Sequence, residues 1–205
     1  MAGFYDRVIL PRLLNRAMSQ KHMAKIRAQI VPQVSGDIIE VGFGSGLNLN
    51  HLGPDVRSVT AVDPSEGLHR LAAPRIEATR TQVIHMQTTA EALPCESNSF
   101  DAALCTWSLC TIPDPMAALE ELRRVLKPGG TFAFIEHGVS PESNVRRWQD
   151  RINPIWNKIG GGCNLNRMPD TMIRESGFEI KHFDAGYIPG PKIATYTVRG
   201  VAERV

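Results

Sequence analysis

The sequence predicts an α/β domain built on a mostly parallel sheet with helices on both faces. From residue 37 onward, short apolar runs alternate with stretches of helical spacing, and this alternation is typical of a parallel sheet. A glycine turn, G-x-G-x-G, follows the first apolar run, and the second run ends at an aspartate. The last two apolar runs lack a helix-length connection, so we expect them to pair antiparallel at the sheet edge.

Each predicted strand is a short apolar run, and these runs lie at 37–42, 58–63, 82–87, 100–107, 131–136, 178–184 and 193–201. The predicted helices lie within 44–52, where the glycine turn enters a helix, and at 65–80, 115–126 and 169–176. The sequence Lys-Pro-Gly-Gly at 127–130 ends the third of them, because proline cannot continue a helix and glycine accepts the turn. Residues 138–168 are predicted to be irregular.

The first 36 residues are strongly basic, and we name them the basic head. They hold six Lys and Arg residues against one acid, a net charge of +5, while the remainder of the chain carries −3. Apolar residues with helical spacing predict one or two amphipathic helices over 4–30, interrupted at Pro11. Two interpretations stay open: a helical lid on a domain of residues 37–205, or a surface that contacts anionic lipid.

Composition and pattern exclude several classes of protein. No segment reaches the roughly 18–20 uninterrupted apolar residues that a membrane-spanning helix needs, and the N-terminus lacks a secretion signal's cleavage site. We expect a cytoplasmic protein, peripheral to a membrane only if the basic head binds lipid. No nucleic-acid motif is present, so nucleic acid is not an expected partner, and no obligatory protein partner is indicated. The four cysteines form no CxxC pair and no zinc-like cluster, so we expect free thiols and no metal site.

Three alternating glycines, Gly42, Gly44 and Gly46, follow the first predicted strand. Glycine permits a tight turn and lets a ligand lie directly against the backbone, at the strand ends where ligands bind in open α/β sheets. A dinucleotide fingerprint would need a third glycine at Leu47, and no phosphate-binding P-loop sequence occurs. A nicotinamide cofactor is therefore disfavoured.

Two acids flank this turn. Glu40 lies two residues before Gly42, and a carboxylate there suits a cationic, amino-acid-bearing ligand better than a pyrophosphate. Asp63 ends the second predicted strand, where a carboxylate either accepts hydrogen bonds from both hydroxyls of a ribose or caps the following helix. The combination with the three glycines favours the ribose role.

Five segments in order, EVGFGSG, AVDPS, AEALP, SFDAALCTW and LRRVLKPGG, resemble the class I S-adenosylmethionine-dependent methyltransferases over about residues 36–137. The resemblance is to the methyltransferase type 11 domain. It implies a Rossmann-like fold with a seven-stranded sheet in the order 3-2-1-4-5-7-6, strand 7 antiparallel, and S-adenosylmethionine as cofactor with S-adenosylhomocysteine as product.

The same resemblance implies a set of cofactor-binding residues. The three glycines would pass under the methionine part beside Glu40, and Asp63 would hold the ribose. Pro64 would pack near the adenine. The remaining expected contacts are Thr89, Ala90 and Glu91 along the adenine edge and Thr106 at the methionine end.

Few residues qualify for acceptor chemistry. His137, at the end of the fifth predicted strand, is either a general base or a structural histidine. Trp107 is either the wall of an apolar pocket or a core residue, and Cys110 follows it. A basic side chain is optional for a thiol acceptor, because a thiol of pKa about 8.5 is partly ionised near neutral pH.

Over about residues 8–198, the chain also resembles the methyltransferase-like-seven group of alkyl thiol methyltransferases and its bacterial relatives. Shared features are the Glu136-His137 strand end, the Leu-Cys pair at 109–110 and a Gly-Cys-Asn-Leu segment at 162–165. This resemblance implies a small or lipophilic thiol, sulfide included, as acceptor. The expected acceptor pocket comprises Trp107, Cys110, Cys163 and Asn164, with Cys163 either a reactive thiol or a residue that packs the lid.

Other functions stay open at this point. The basic head is consistent with N-methylation of a phospholipid amine such as phosphatidylethanolamine, and N- or O-methylation of another small molecule is a further alternative. A binding module that senses the cofactor without transferring a methyl group is the alternative outside enzymes.

Overall fold

The computed structural model describes residues 3–205, and within that range the chain has seven strands and six α-helices. The strands are β1 Gly36–Val41, β2 Val56–Val62, β3 Gln82–Met86, β4 Phe100–Thr106, β5 Leu126–His137, β6 Phe178–Tyr187 and β7 Tyr196–Arg204. The helices are α1 Leu10–Met18, α2 Lys21–Ile30, α3 Glu66–Ala78, α4 Pro115–Val125, α5 Ser143–Ile159 and α6 Pro169–Glu175. A π-helical turn, Tyr5–Ile9, precedes α1.

All seven strands form one sheet in the order β3-β2-β1-β4-β5-β7-β6. The pairs from β3 through β5 are parallel, whereas β7 runs antiparallel to both β5 and β6. The predicted fold class, strand order and antiparallel C-terminal pair are therefore confirmed. This order places the ends of β1 and β4 side by side, at the point where ligands bind in open α/β sheets.

The sheet is covered on both faces, as its apolar central strands require. On one face, β5 contributes Phe132 and Phe134 to a core that includes Leu119 and Leu122 of α4. On the other face, Ile26 and Ile30 of α2, Ala72 of α3, Ile38 of β1, Leu104 of β4 and Ile135 of β5 belong to a second buried cluster. The second core therefore packs the basic head against the sheet through α2.

The connection after β1 departs from the prediction. A helix was expected within 44–52, but the chain there forms turns and a single 3₁₀ turn, Leu49–His51. Three glycines in the left-handed backbone region occupy residues 42–46, and Pro54 lies just before β2. The seven residues that remain between them, 47–53, form turns and the 3₁₀ turn.

Two further segments correct the sequence analysis. Residues 143–159, predicted to be irregular, form the 17-residue helix α5. The spacing of apolar residues did not indicate this helix, because Pro154 lies inside it and its one fully buried side chain, Gln149, is polar. The Lys-Pro-Gly-Gly segment ends α4 as expected, but the strand already begins at Leu126, which pairs with Phe100 before the register shifts.

The basic head forms α1 and α2, joined by a two-residue link. Arg12, Arg16, Lys21 and Lys25 are exposed, whereas Arg27 is buried. Within residues 3–205, no helix is both long and apolar enough to cross a membrane.

Candidate active site

A cavity of about 690 Å³ opens where β1, β2, β4 and β5 end. Its volume lies within the range of about 300–1,000 Å³ that is usual for small-molecule sites. The strand ends supply one wall, and α1 with the start of α2 supplies another, through residues such as Leu14, Met18 and Met23. The cavity is therefore bounded by both the sheet and the basic head.

The glycine turn forms the floor of the cavity. Gly42, Gly44 and Gly46 have φ values of +73°, +59° and +73°, a region that L residues with side chains rarely adopt. A Cβ atom on Gly42 would lie 1.8 Å from Oγ of Ser108. The turn therefore requires glycine for its backbone and, at position 42, for space.

Asp63 lies at the end of β2, with 6% of its surface exposed. Its Oδ2 accepts a hydrogen bond from the backbone N–H of Gly44 at 2.8 Å, and its Oδ1 accepts one from Ser65 N–H at 2.8 Å. Burial raises the pKa of this carboxyl. Two oxygens offer about four lone-pair sites, so the carboxylate is fixed in place and still able to accept from a ligand.

Glu40 is fully buried behind the glycine turn and does not itself line the cavity. Asn48 Nδ2 donates to Glu40 Oε1 at 2.8 Å and to Thr106 Oγ1 at 2.9 Å. Burial raises the pKa of Glu40 to about 8. Its Oε2 is buried and has no hydrogen-bond partner among the residues that the structure describes.

Arg27 connects the basic head to this network. Its Nε donates to Asn48 Oδ1 at 2.9 Å, and a terminal nitrogen donates to the carbonyl of Met18 at 2.8 Å. The guanidinium lies 4.8 Å from the ring centroid of Trp107, and burial lowers its pKa to about 10. Sequence analysis missed this residue, although Arg27 and Ile30 are three positions apart and so share the buried face of α2.

The expected adenine-edge residues lie together on the cavity wall. Pro64, Thr89, Ala90 and Glu91 all line it, next to Asp63. Ala90 is almost fully buried, and Glu91 Oε1 accepts a hydrogen bond from the backbone N–H of Asp114 at 3.4 Å. The loops that follow β2, β3 and β4 thus meet at this part of the cavity.

The turn after β4 carries backbone strain. Trp107 has a φ of +51°, which is uncommon for a bulky residue, and it lines the cavity. The fully buried Glu136 lies beneath this turn and accepts a hydrogen bond from Ser108 N–H at 2.9 Å. Burial raises the pKa of Glu136 to about 7, while the backbone N–H groups of the turn oppose the rise. Glu136 therefore holds the turn in place.

The far end of the cavity gathers His137, Cys110, Cys163 and Trp156. The two sulfur atoms are 3.6 Å apart. Neither ring nitrogen of His137, nor Nε1 of Trp156, has a partner in hydrogen-bonding geometry within residues 3–205. Contact with Cys110, followed by His137 and Trp156, lowers the pKa of Cys163 to about 5, and the same contact raises that of Cys110. This end of the cavity therefore stabilises a sulfur anion.

Besides Glu40, two expected site residues of the described chain do not line the cavity. A Cβ on Gly46 would meet the Phe43 ring at 3.2 Å, so Gly46 shapes the turn from behind. The prediction that Asn164 lines the pocket is wrong, because its amide donates to the carbonyls of Cys110 and Gly162 and joins two loops. Trp156, which sequence analysis did not place in the site, occupies that wall instead.

No group of three or more His, Cys, Asp or Glu side chains suited to a metal ion occurs in the part of the chain that the structure describes. All four cysteines are free thiols.

Comparisons with known proteins agree with this geometry. The methyltransferase domain family matches residues 39–134. Thiol S-methyltransferase TMT1B of Rattus norvegicus is 30% identical over 79% of this chain and 71% of its own length. The chain belongs to the S-adenosylmethionine-dependent methyltransferases. It is also 30% identical to the ubiquinone/menaquinone biosynthesis C-methyltransferase of Syntrophotalea carbinolica, over 88% of this chain and 86% of that protein.

A solved S-adenosylmethionine-dependent methyltransferase of Thermotoga maritima shares the fold, with a TM-score of 0.68 and 22% identity over 96% of this chain and 98% of that one. The chain is thus a small-molecule methyltransferase whose cofactor is S-adenosylmethionine. The site fits this cofactor: Glu40 has a buried oxygen without a hydrogen-bond partner in the described chain beside the turn, and the space over Gly44 is open, since the atom nearest to a Cβ there is the Gly42 carbonyl oxygen at 3.8 Å.

Proposed function

We propose that this methyltransferase transfers the methyl group of S-adenosylmethionine to the sulfur of a small or lipophilic thiol, sulfide included. The observation that carries the proposal is the far end of the cavity, where Cys110, His137 and Trp156 gather around the sulfur of Cys163; contact with Cys110, followed by His137 and Trp156, lowers the pKa of this thiol. An acceptor thiol in the same surroundings would be stabilised as its reactive thiolate. Similarity to the rat thiol S-methyltransferase supports the same acceptor class.

The near end of the cavity would hold the cofactor. Asp63, fixed by Gly44 and Ser65, would accept hydrogen bonds from the ribose hydroxyls. The unpaired oxygen of Glu40 would face the methionine amino group, and the glycine turn would pass beneath the methionine chain. Pro64, Thr89, Ala90 and Glu91 would flank the adenine, and Thr106 would lie at the methionine end.

When bound, the cofactor supplies a methyl group on a positively charged sulfur. The protein aligns the acceptor with that group, and positioning of this kind can contribute on the order of 7–11 kcal/mol at its best. His137 would accept the proton of the acceptor thiol; the lack of a partner in hydrogen-bonding geometry for either ring nitrogen within residues 3–205 supports this role. The apolar wall excludes water from the reacting atoms.

The basic head would act as a lid. Its α1 lines the cavity, and Asn15 of α1 accepts a hydrogen bond from Ser45 Oγ in the glycine turn at 2.8 Å. Arg27 links Asn48, behind the turn, to the end of α1 at Met18. These contacts link the position of α1 to the glycine turn that forms the floor of the cavity. Because α1 also forms one wall of the cavity, its loss would expose the acceptor end to solvent.

The outer faces of the same helices would touch an anionic membrane. Tyr5, Ile9 and Leu13, spaced four residues apart, are exposed. A second exposed apolar face on α5, which also borders the cavity, comprises Trp148, Ile155 and Ile159. Tyr5 Oη donates to the carbonyl of Ile159 at 2.9 Å and joins the two faces. Exposed basic residues flank them, namely Arg7, Arg12, Arg16, Arg147, Arg151 and Lys158. Apolar faces with basic flanks are typical of membrane surface binding.

Vesicle sedimentation tests this contact. The protein should pellet with vesicles containing phosphatidylglycerol and less with phosphatidylcholine alone, and high salt should release it. The double variant Arg12→Glu, Arg16→Glu should lose binding, whereas Arg174→Glu, an exposed change on α6, should retain it. Equal partitioning of all three proteins would exclude the contact.

An acceptor panel tests the function. With methyl-labelled S-adenosylmethionine, an alkyl thiol and sulfide should gain the label, and a quinol, a catechol and phosphatidylethanolamine should not. Phosphatidylethanolamine is included because the basic flanks fit an anionic lipid surface, and the quinol because of the C-methyltransferase relative. If phosphatidylethanolamine or the quinol gained the label and the thiols did not, that compound's class would be the acceptor instead of a thiol.

A further inference from the structure

Cys110 and Cys163, which we name the thiol pair, lie on two different loops at the acceptor end of the cavity. Cys110 is in the turn after β4, and Cys163 is in the loop after α5. Their sulfur atoms are 3.6 Å apart. The loops are also joined through their backbones, because Asn164 N–H donates to the carbonyl of Cys110 at 2.8 Å and the Asn164 amide donates to the same carbonyl at 3.1 Å.

The two thiols differ in access and in acidity. Cys110 is 3% exposed, whereas Cys163 is only half-buried, and both line the cavity. Their contact lowers the pKa of Cys163 to about 5 and raises that of Cys110. The more accessible sulfur is therefore the more acidic of the two.

The other two cysteines lack these properties. Cys105 is fully buried, and its sulfur donates a hydrogen bond to Glu136 at 3.3 Å. Cys95 is half-buried next to the Met86 sulfur, and burial raises its pKa. Cys95 therefore provides a matched control for a thiol outside the cavity.

We propose that the thiol pair carries out thiol–disulfide exchange with small disulfides that enter the acceptor end of the cavity. The Cys163 thiolate attacks one sulfur of a disulfide RS–SR, so that a Cys163–SR bond forms and one RS⁻ leaves. Cys110, after losing its proton, attacks the Cys163 sulfur, so that the Cys110–Cys163 disulfide forms and the second RS⁻ leaves. Two protein thiols are oxidised and one disulfide is reduced to two thiols; one released thiolate takes the proton of Cys110, and the other takes a proton from solvent, to which Cys163 gave its own on ionisation.

Two structural features make this second step accessible. The two loops are already joined by the hydrogen bond from Asn164 N–H to the Cys110 carbonyl, and the two sulfur atoms are 3.6 Å apart before any movement. Asn164 is in turn fixed by Asn153 and Asn157 of α5, which donate to its Oδ1 at 3.2 and 3.3 Å. This network explains why Asn164 lies behind the pocket: it holds the loop of Cys163 against that of Cys110.

The exchange extends the proposed function, because it rests on this end of the cavity being the acceptor site. The released thiolate would be formed within the cavity that methylates thiols, and the disulfide-bonded protein would have an altered acceptor wall. S-adenosylhomocysteine binding, which depends on the opposite end, should be unchanged in that state.

Mass spectrometry of the intact, fully reduced chain tests the exchange with bis(2-hydroxyethyl) disulfide as the probe. The wild-type chain should lose about 2 Da and release two equivalents of 2-mercaptoethanol, and peptide mapping should join residues 110 and 163. Cys110→Ser should stop at a stable mixed disulfide on Cys163. Cys163→Ser should show neither product, and Cys95→Ser should behave as the wild type.

Three results would overturn the proposal: an unchanged wild-type mass, exchange that survives in Cys163→Ser, or release of the probe from Cys110→Ser without a mixed disulfide. Circular dichroism and S-adenosylhomocysteine affinity confirm that each variant is folded. Since none of these readouts requires methyl transfer, the exchange and the thiol S-methyltransferase activity can fail independently.

Discussion

Replacing Asp63 by alanine removes the carboxylate expected to hold the cofactor ribose. Two hydrogen bonds to a charged acceptor are worth about 1.5–3 kcal/mol each, and the lower bound of about 3 kcal/mol for the pair corresponds to about 100-fold in Kd. Water that enters the vacated space recovers part of this loss. We therefore expect S-adenosylhomocysteine affinity, measured by calorimetry, to fall at least about tenfold.

Asp63→Ala also lowers the stability of the fold, and this effect must be distinguished from the loss of cofactor affinity. Gly44 and Ser65 lose the acceptor of their backbone N–H groups, and each unsatisfied group costs about 1–3 kcal/mol. Asp63→Asn keeps the shape and removes the charge, while Asp55→Ala changes an exposed aspartate and should leave affinity unaltered. A folded Asp63→Ala protein with wild-type affinity would refute the ribose role.

Three further predictions follow from the site. Burial raises the pKa of Glu40 from 4.5 to about 8, so between these pH values the folded chain binds one proton more than the unfolded chain. The free energy of unfolding, measured by urea titration, should therefore fall as the pH rises from 4.5 to about 8. Glu40→Gln should make this dependence on pH weaker. Gly42→Ala places a Cβ against Ser108 and should lower Tm and abolish cofactor binding. Adding Ser108→Gly to this variant should restore part of the lost Tm. An unchanged Tm in Gly42→Ala alone would contradict the clash. His137→Gln should reduce kcat on a thiol about 10²-fold or more with S-adenosylhomocysteine affinity retained, and an unchanged kcat would assign His137 a structural role.

The sheet was predictable because its signals are local. The apolar runs at 37–42 and 100–107 gave β1 and β4 to within one residue, and the glycines at 42–46 indicated the ligand floor before any contact was known. Strand order was implied by the family resemblance, whereas the antiparallel end of the sheet followed from the short link before β7.

Residues that act through burial were not predictable in the same way. Arg27 belongs to a helix whose other two Lys and Arg residues, Lys21 and Lys25, are exposed, and its buried position depends on how α2 lies on the sheet. Trp156 reaches the cavity from α5, whose polar composition hid the helix. The 3.6 Å approach of Cys110 and Cys163, 53 positions apart in sequence, is a property of packing alone.

Competition between matched acceptors tests the thiol assignment most directly. An alkyl thiol, the alcohol and the amine of the same chain length are supplied together with methyl-labelled S-adenosylmethionine, and kcat/KM for each is obtained from the labelled products. The label should appear in the thioether, and Asp63→Ala and His137→Gln should reduce it while Asp55→Ala should not. A labelled amine or ether with no thioether would contradict the thiol assignment.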